Sequence, residues 1–120
     1  MHKIGILDAR ILNLDRNDCN ILVQQNDPCS NSLTLIPIDH GLSIPDTLAV
    51  CSYDIVWMSF PQTEEPFSAK SLAYIKALDV VADVRMLEKT LNFRPICLRN
   101  MRIAGTLLQL GACEFNLTLA

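Results

Sequence analysis

The stretch Ile6-Leu7-Asp8-Ala9-Arg10-Ile11-Leu12-Asn13-Leu14-Asp15-Arg16-Asn17-Asp18-Cys19-Asn20-Ile21-Leu22-Val23 decides how this chain is read, together with Ile36-Pro37-Ile38-Asp39-His40-Gly41. The apolar positions Ile4, Leu7, Ile11 and Leu12 recur at helical spacing, so Lys3 to Asn13 is expected to be a helix. Leu14 to Asn20 is a polar loop that leads into Ile21-Leu22-Val23, expected as a short buried strand. Gln24 to Ser32 is polar and turn-forming, and Leu33 to Ile38 is a second apolar run. The two runs form a β-hairpin. Asn20 borders one strand and Asp39 the other, which brings the two residues close in space.

Beyond this unit, His40 to Phe67 is irregular, with Pro45, Pro61, Pro66 and the single Trp57. Loops of that length in a compact domain usually carry function. Helical pattern returns at Ser68, an N-cap residue, with Leu72, Ile75 and Leu78 at helical spacing. A second helix is expected over 82–91, with Val84, Leu87 and Leu91 facing inward. Pro95 punctuates, and a third helix over 96–110 is expected to close at Gly111 as its C-cap. The fold class is therefore α+β, mostly helical with one small hairpin.

The chain has 120 residues, 50% of them hydrophobic, which is enough for one small domain with a core and too apolar for disorder. Its net charge of −3 gives no general attraction to nucleic acid. The placement of charge says more. No Lys or Arg occurs between Arg16 and Lys70, whereas Asp18, Asp27, Asp39, Asp46, Asp54, Glu64 and Glu65 all do. An anion bound there needs backbone amides, a metal ion or cations from elsewhere. The five cysteines (Cys19, Cys29, Cys51, Cys97, Cys113) are odd in number and contain no C-x-x-C pair, which favours reduced thiols in a cytoplasmic protein. The N-terminus does not resemble a signal peptide, and no apolar run approaches the ~20 residues of a membrane span.

The chemistry lies in three residues. Asp15, in Asp-Arg-x-x-x-Asn, sits on a loop where a carboxylate can orient a hydroxyl and accept its proton during phosphoryl transfer. Taken alone, the Asp15-Arg16 pair reads as a capped turn with a surface ion pair. Asn20 and Asp39 shift that balance, because a carboxamide and a carboxylate are hard oxygen ligands suited to magnesium, which takes its remaining ligands from phosphate and water. Gly41 is expected to supply the sharp turn that aims Asp39. His40 is expected to make a structural hydrogen bond, and Cys19 to be a small buried thiol. Asp8 and Arg10 read either as an ion pair steadying the loop or as a solvated helix face. Trp57, Phe60, Pro66 and Phe67 read as core packing under the long loop rather than a lipid platform. A stand-alone metal-dependent hydrolase would need more ligands than Asn20 and Asp39.

With these residues in place, the sequence resembles the phosphatidylinositol 3-/4-kinase family, and within it the gamma-type phosphatidylinositol 4-kinases known from plants. The resemblance rests on His2-Lys3-Ile4 with Leu7-Asp8-x-Arg10, on Asp15-Arg16-x-x-x-Asn20-Ile21-Leu22, and on Ile36-Pro37-Ile38-Asp39-His40-Gly41. It continues through Trp57-x-x-x-Pro61-Gln62-x-x-x-Pro66-Phe67-Ser68 into Leu72-x-Tyr74-Ile75-x-x-Leu78-Asp79. It implies Asp15 as the catalytic carboxylate, Asn20 and Asp39 as metal and nucleotide ligands, and residues 40–57 as an activation loop. It also implies ATP and Mg²⁺ as cofactors and transfer of the γ-phosphoryl to the 4-hydroxyl of phosphatidylinositol, hence peripheral contact with membranes. A protein-directed kinase of the same family, or a catalytically inactive fragment, is the alternative. Two departures stand out. His40 replaces the usual Phe, and Asn17-Asp18-Cys19 stands where the family often has His-x-Gly. The chain has four Gly and no G-x-G-x-x-G, so residues 1–120 are expected to be the C-lobe of a catalytic domain with the N-lobe absent.

Overall fold

The computed structural model describes residues 1–29, 32–48 and 54–119. Helix α1 (His2–Ile11) opens the chain and ends at Leu12 in the left-handed region (φ 51°), with the Asn13 amide closing back on the Asp8 carbonyl at 2.9 Å. A two-residue strand β1 (Asp15–Arg16) and a single 3₁₀ turn (Asp18–Asn20) make up the loop that follows. The turn is capped by Asn17, whose side chain accepts the Cys19 amide. Strands β2 (Ile21–Gln25) and β3 (Leu33–Pro37) form the expected hairpin, with Ile21 opposite Pro37 and Gln25 opposite Leu33. A second small pairing is parallel: β1 lies beside β4 (Asp54–Ile55), with Asp15 opposite Asp54.

The hairpin is not buried. Leu22 and Val23 are 50% and 62% exposed, and Leu33 and Ile36 also face solvent. Two strands alone have no second layer on which to rest their apolar side chains, so the buried-strand expectation fails for want of a cover.

After 3₁₀ turns at Val56–Ser59 and Pro61–Thr63, three helices complete the chain. Helix α2 (Ala69–Lys76) starts at Ser68, whose Oγ accepts the Ser71 amide as the sequence pattern predicts. Helix α3 spans Val80–Leu91 and is capped by Asp79, so it begins two residues before the expected start. Val84 and Leu87 do face inward, but Leu91 is 63% exposed at the frayed end. Helix α4 runs Pro95–Cys113, with Pro95 in its first turn. It passes straight through Gly111, which is therefore a helix-interior residue and not the C-cap.

Helix α4 is the axis of the core. On one side Ala112 and Leu108 meet Ile6 of α1, Ile75 and Leu72 of α2, and Phe67. On the other, Leu98 and Met101 meet Leu87 and Val84 of α3, with Phe93 and Ile44. Gln109 joins α4 to the end of α2 by donating Nε2 to the carbonyls of Ile75 (3.1 Å) and Leu78 (2.8 Å) at and just beyond the C-terminus of α2. No helix among the described residues is long and apolar enough to cross a membrane.

Candidate active site

A buried ion pair builds the site. Asp8 points from α1 into the interior, 1% exposed, and Arg16 of β1 meets it with no exposure at all. Arg16 donates Nε to Asp8 Oδ2 (3.0 Å) and Nη2 to Oδ1 (2.9 Å), the two-pronged geometry that a guanidinium offers a carboxylate. Asp8 also accepts Trp57 Nε1 at 2.9 Å and Asn13 Nδ2 at 3.3 Å. The other face of Arg16 serves the loop: Nη1 donates to the carbonyls of Asn20 (2.8 Å) and Ile38, and Nη2 to His40 Nδ1 (2.8 Å). An arginine only donates, so His40 accepts through Nδ1 and carries its proton on Nε2. Every arm of the buried guanidinium is used, which is the condition for burying a charge at tolerable cost.

Two expectations change here. Asp8 does not pair with Arg10, because successive helix positions separated by two residues point apart. Arg10 instead reaches α3, donating Nε (3.0 Å) and Nη2 (2.5 Å) to Asp83 and Nη1 to the Tyr74 hydroxyl (3.0 Å). Partial burial works to lower the pKa of Arg10, but Asp83 and Tyr74 outweigh it and the net shift is upward. Arg16 is likewise no surface partner of Asp15.

Of the three sequence-predicted residues, Asn20 and Asp15 meet directly beside this hub, and Asp39 follows Ile38, whose carbonyl Arg16 holds. Asn20 donates Nδ2 to the Asp15 carbonyl at 2.8 Å, with Asp15 Oδ2 at 3.5 Å. Asp15 Oδ1 accepts Asn17 Nδ2 at 2.9 Å, and its amide donates to Asn13 Oδ1 at 3.1 Å, so side chain and backbone are each held. The Ile38 amide donates to the Asn20 carbonyl at 3.0 Å, extending the hairpin ladder by one step and setting Asp39 next to Asn20's strand. Asp39 itself takes the left-handed conformation (φ 50°), which Asp tolerates better than most residues, and its Oδ1 accepts the Gly41 amide at 3.0 Å. Gly41 has no positive φ. Its small size matters instead, since a Cβ there would lie 3.1 Å from Asp39 Oδ1.

Among the described residues, Asn20 Oδ1 and Asp39 Oδ2 make no hydrogen bond, and no group of three or more His, Cys, Asp or Glu is gathered to hold a metal. A carboxamide and a carboxylate oxygen are the hard donors that magnesium takes beside phosphate and water. Asp15 lines a cavity of about 480 Å³ with Leu14, Gly41, Leu42, Ser43 and Arg94.

Trp57 and Phe67 are buried, as the core-packing reading has it, but Phe60 is only half-buried and Pro66 is exposed. Phe67 meets the His2 ring in a tilted contact at a centroid distance of 5.1 Å, and the indole N–H of Trp57 serves Asp8. Residues 49–53 of the expected activation loop, including Cys51, lie outside the described residues. Cys19 is exposed rather than buried, because the 3₁₀ turn faces outward. The negative charge of the neighbouring Asp18 raises its thiol pKa, with a hydrogen bond to Asp18 adding to the effect. Asp18→Asn removes that charge, so the Cys19 thiolate fraction at pH 7.5 rises. We expect Cys19 to react faster with iodoacetamide in D18N than in the wild type, read by mass spectrometry of the labelled peptide. An unchanged rate would remove Asp18 as the cause.

The sequence pattern missed Asn13 and Trp57 as parts of the site and weighed Asp8 with the wrong partner. A lone Asp on the apolar side of a helix was the available signal, and its partners lie 5, 8 and 49 residues away.

An α+β chain in which a buried arginine draws an Asp-x₄-Asn loop and a following Asp to one hairpin end matches a known class. The family described as phosphatidylinositol 3- and 4-kinase matches residues 1–118, and the chain belongs to it. Among curated proteins it is similar to phosphatidylinositol 4-kinase gamma 6 of Arabidopsis thaliana, 42% identical over 125 residues and covering 100% of this chain and 20% of that protein. Phosphatidylinositol 4-kinase gamma 3 of the same plant is 38% identical over 115 residues (95% of this chain, 20% of the relative). Phosphatidylinositol 4-kinase gamma 4 of Oryza sativa is 41% identical over 113 residues (93% and 19%). The chain thus spans about a fifth of the length of these relatives.

Proposed function

We propose that residues 1–120 form the C-lobe of a lipid kinase catalytic domain that moves the γ-phosphoryl of ATP to the 4-hydroxyl of phosphatidylinositol. The observation that carries this reading is the end of the hairpin at which Arg16 holds the carbonyls of Asn20 and of Ile38, the residue before Asp39, while Asn20 bonds Asp15. The names of the similar proteins support the lipid and the hydroxyl.

Asp15, held by Asn17 and by Asn13, orients the acceptor hydroxyl and takes its proton at a carboxylate oxygen. Asn20 Oδ1 and Asp39 Oδ2 are the oxygens that would hold magnesium. Magnesium-ATP, when bound, supplies the phosphoryl group and neutralises its charge. The glycine-rich cover and the lysine that grip the phosphates are not among these residues, so turnover requires an N-lobe alongside this one. A substrate embedded in a bilayer places the working enzyme at a cytoplasmic membrane surface, as a peripheral protein.

The metal half of the site can be tested on this chain as it stands. Mn²⁺ replaces Mg²⁺ at oxygen sites and broadens nearby NMR signals. We expect broadening centred on the Asn20 and Asp39 amides, abolished by Asp39→Asn. Broadening centred on Glu64 and Glu65, or left unchanged in D39N, would sink the assignment.

A further inference from the structure

The cavity beside Asp15 has a cation on its wall that the reaction above leaves unused. Arg94 is the N-cap residue of α4, and among the described residues lining the cavity it is the one cation. Its Nη1 pairs with Asp46 Oδ2 at 2.6 Å, on the segment that follows Asp39. We propose that Arg94 is a specificity-determining residue that grips the phosphodiester of an inositol-lipid headgroup, and that Asp46 is a resident counter-ion which this phosphate displaces. The proposal rests on the reading of Asp15 as the residue facing the acceptor hydroxyl.

Three observations lead to it. The chain from Asn17 to Ala69 has no Lys or Arg, so the loop that would meet an acceptor offers a phosphate no cationic side chain of its own. The surroundings of Asp15 add further negative charge, with Asp54 opposite it in the β1–β4 pairing. A cationic side chain for an anionic acceptor therefore has to come from elsewhere in the fold, and α4 delivers one to the same cavity.

The Arg94–Asp46 pair is also built to exchange. The two side chains are 68% and 39% exposed, so water and salt screen their attraction. A phosphate oxygen pair can take both prongs of the guanidinium, which makes it a better partner than a carboxylate held through one nitrogen. Ser43, on the same wall, has a buried Oγ with no hydrogen-bond partner among the described residues. A turn about its Cα–Cβ bond brings that hydroxyl to the ligand. One cation and one hydroxyl suit a single phosphodiester, and the cavity, at about 480 Å³, lies in the range that holds a ring polyol carrying one phosphate.

Titrating the 120-residue chain with glycerophosphoinositol, the water-soluble headgroup, tests this by calorimetry and by the Arg94 Nε–H signal. We expect saturable binding to the wild type, no saturation by myo-inositol, and binding at least about tenfold weaker in Arg94→Gln. Arg94→Lys, which keeps charge but loses the fork, falls between, and Asp46→Asn binds several-fold tighter. Unchanged Asn20 and Ile38 amide signals in R94Q establish that its site is still folded. R94Q binding as tightly as the wild type overturns the proposal. So does saturation by a phosphoserine peptide in place of glycerophosphoinositol. These titrations need no turnover, so they separate the two readings. If Asp15→Ala abolishes transfer while R94Q binds normally, only the Arg94 assignment fails. If Asp15→Ala leaves transfer unchanged, the catalytic reading fails and the headgroup titration still reports on Arg94.

Discussion

Arg16→Met is expected to cost about 3–5 kcal/mol of folding stability, enough to unfold much of a domain whose whole stability is of order 5–15 kcal/mol. Methionine fills most of the volume but leaves Asp8 as a buried carboxylate facing an apolar group. It also strands the Ile38 carbonyl and the Nδ1 of His40, and leaves the Asn20 carbonyl with the Ile38 amide alone. Trp57 and Asn13 go on donating to Asp8, and two neutral hydrogen bonds do not replace a charged, two-pronged partner. Urea unfolding followed by Trp57 fluorescence measures the loss, since the indole is bound to Asp8. The double variant Asp8→Leu with Arg16→Met is expected to recover part of the deficit, because no lone charge then stays buried. A midpoint for R16M within error of the wild type would mean that the pair does not hold the site together.

The second large effect concerns Asp15. In any longer chain that carries these residues together with the nucleotide-gripping half, Asp15→Ala is expected to lower the rate of transfer to phosphatidylinositol by about 10²–10⁴-fold. Asp15 is half-buried and its carboxylate is held by Asn17 rather than by the core, so the fold survives its loss. The two substitutions are therefore distinguishable by what they leave intact. R16M loses structure and activity together, whereas D15A keeps the wild-type urea midpoint. Transfer by D15A at the wild-type rate, to lipid vesicles in the presence of magnesium and ATP, would show that another group takes the proton.

Much of the site was legible in the sequence. Asp15, Asn20 and Asp39 were read from their order, and the hairpin that joins them from two apolar runs flanking a polar turn. Those features are local: a turn, a cap or a strand pair depends on residues a few positions apart, as with Ser68 on the Ser71 amide. Helix ends were less legible. Gly111 signals a stop, but Ala112 is buried against Ile6 and Ile75, and that tertiary packing carries α4 one turn further. Leu22 and Val23 have the composition of a buried strand, yet burial requires a covering layer, which no property of the strand itself supplies.

By itself, then, the sequence determined the α+β class and the hairpin, and it singled out Asp15, Asn20 and Asp39 as the candidate site. The tertiary structure decided who holds them. Asp8, Arg16 and Trp57 come from a helix, a two-residue strand and a distant 3₁₀ turn, and no spacing rule connects them. They meet because a buried charge must be satisfied on every side, and only the folded chain brings enough donors and acceptors to one point. The same holds for Arg94, which α4 carries to the cavity of Asp15 from beyond a stretch of chain without a single cation.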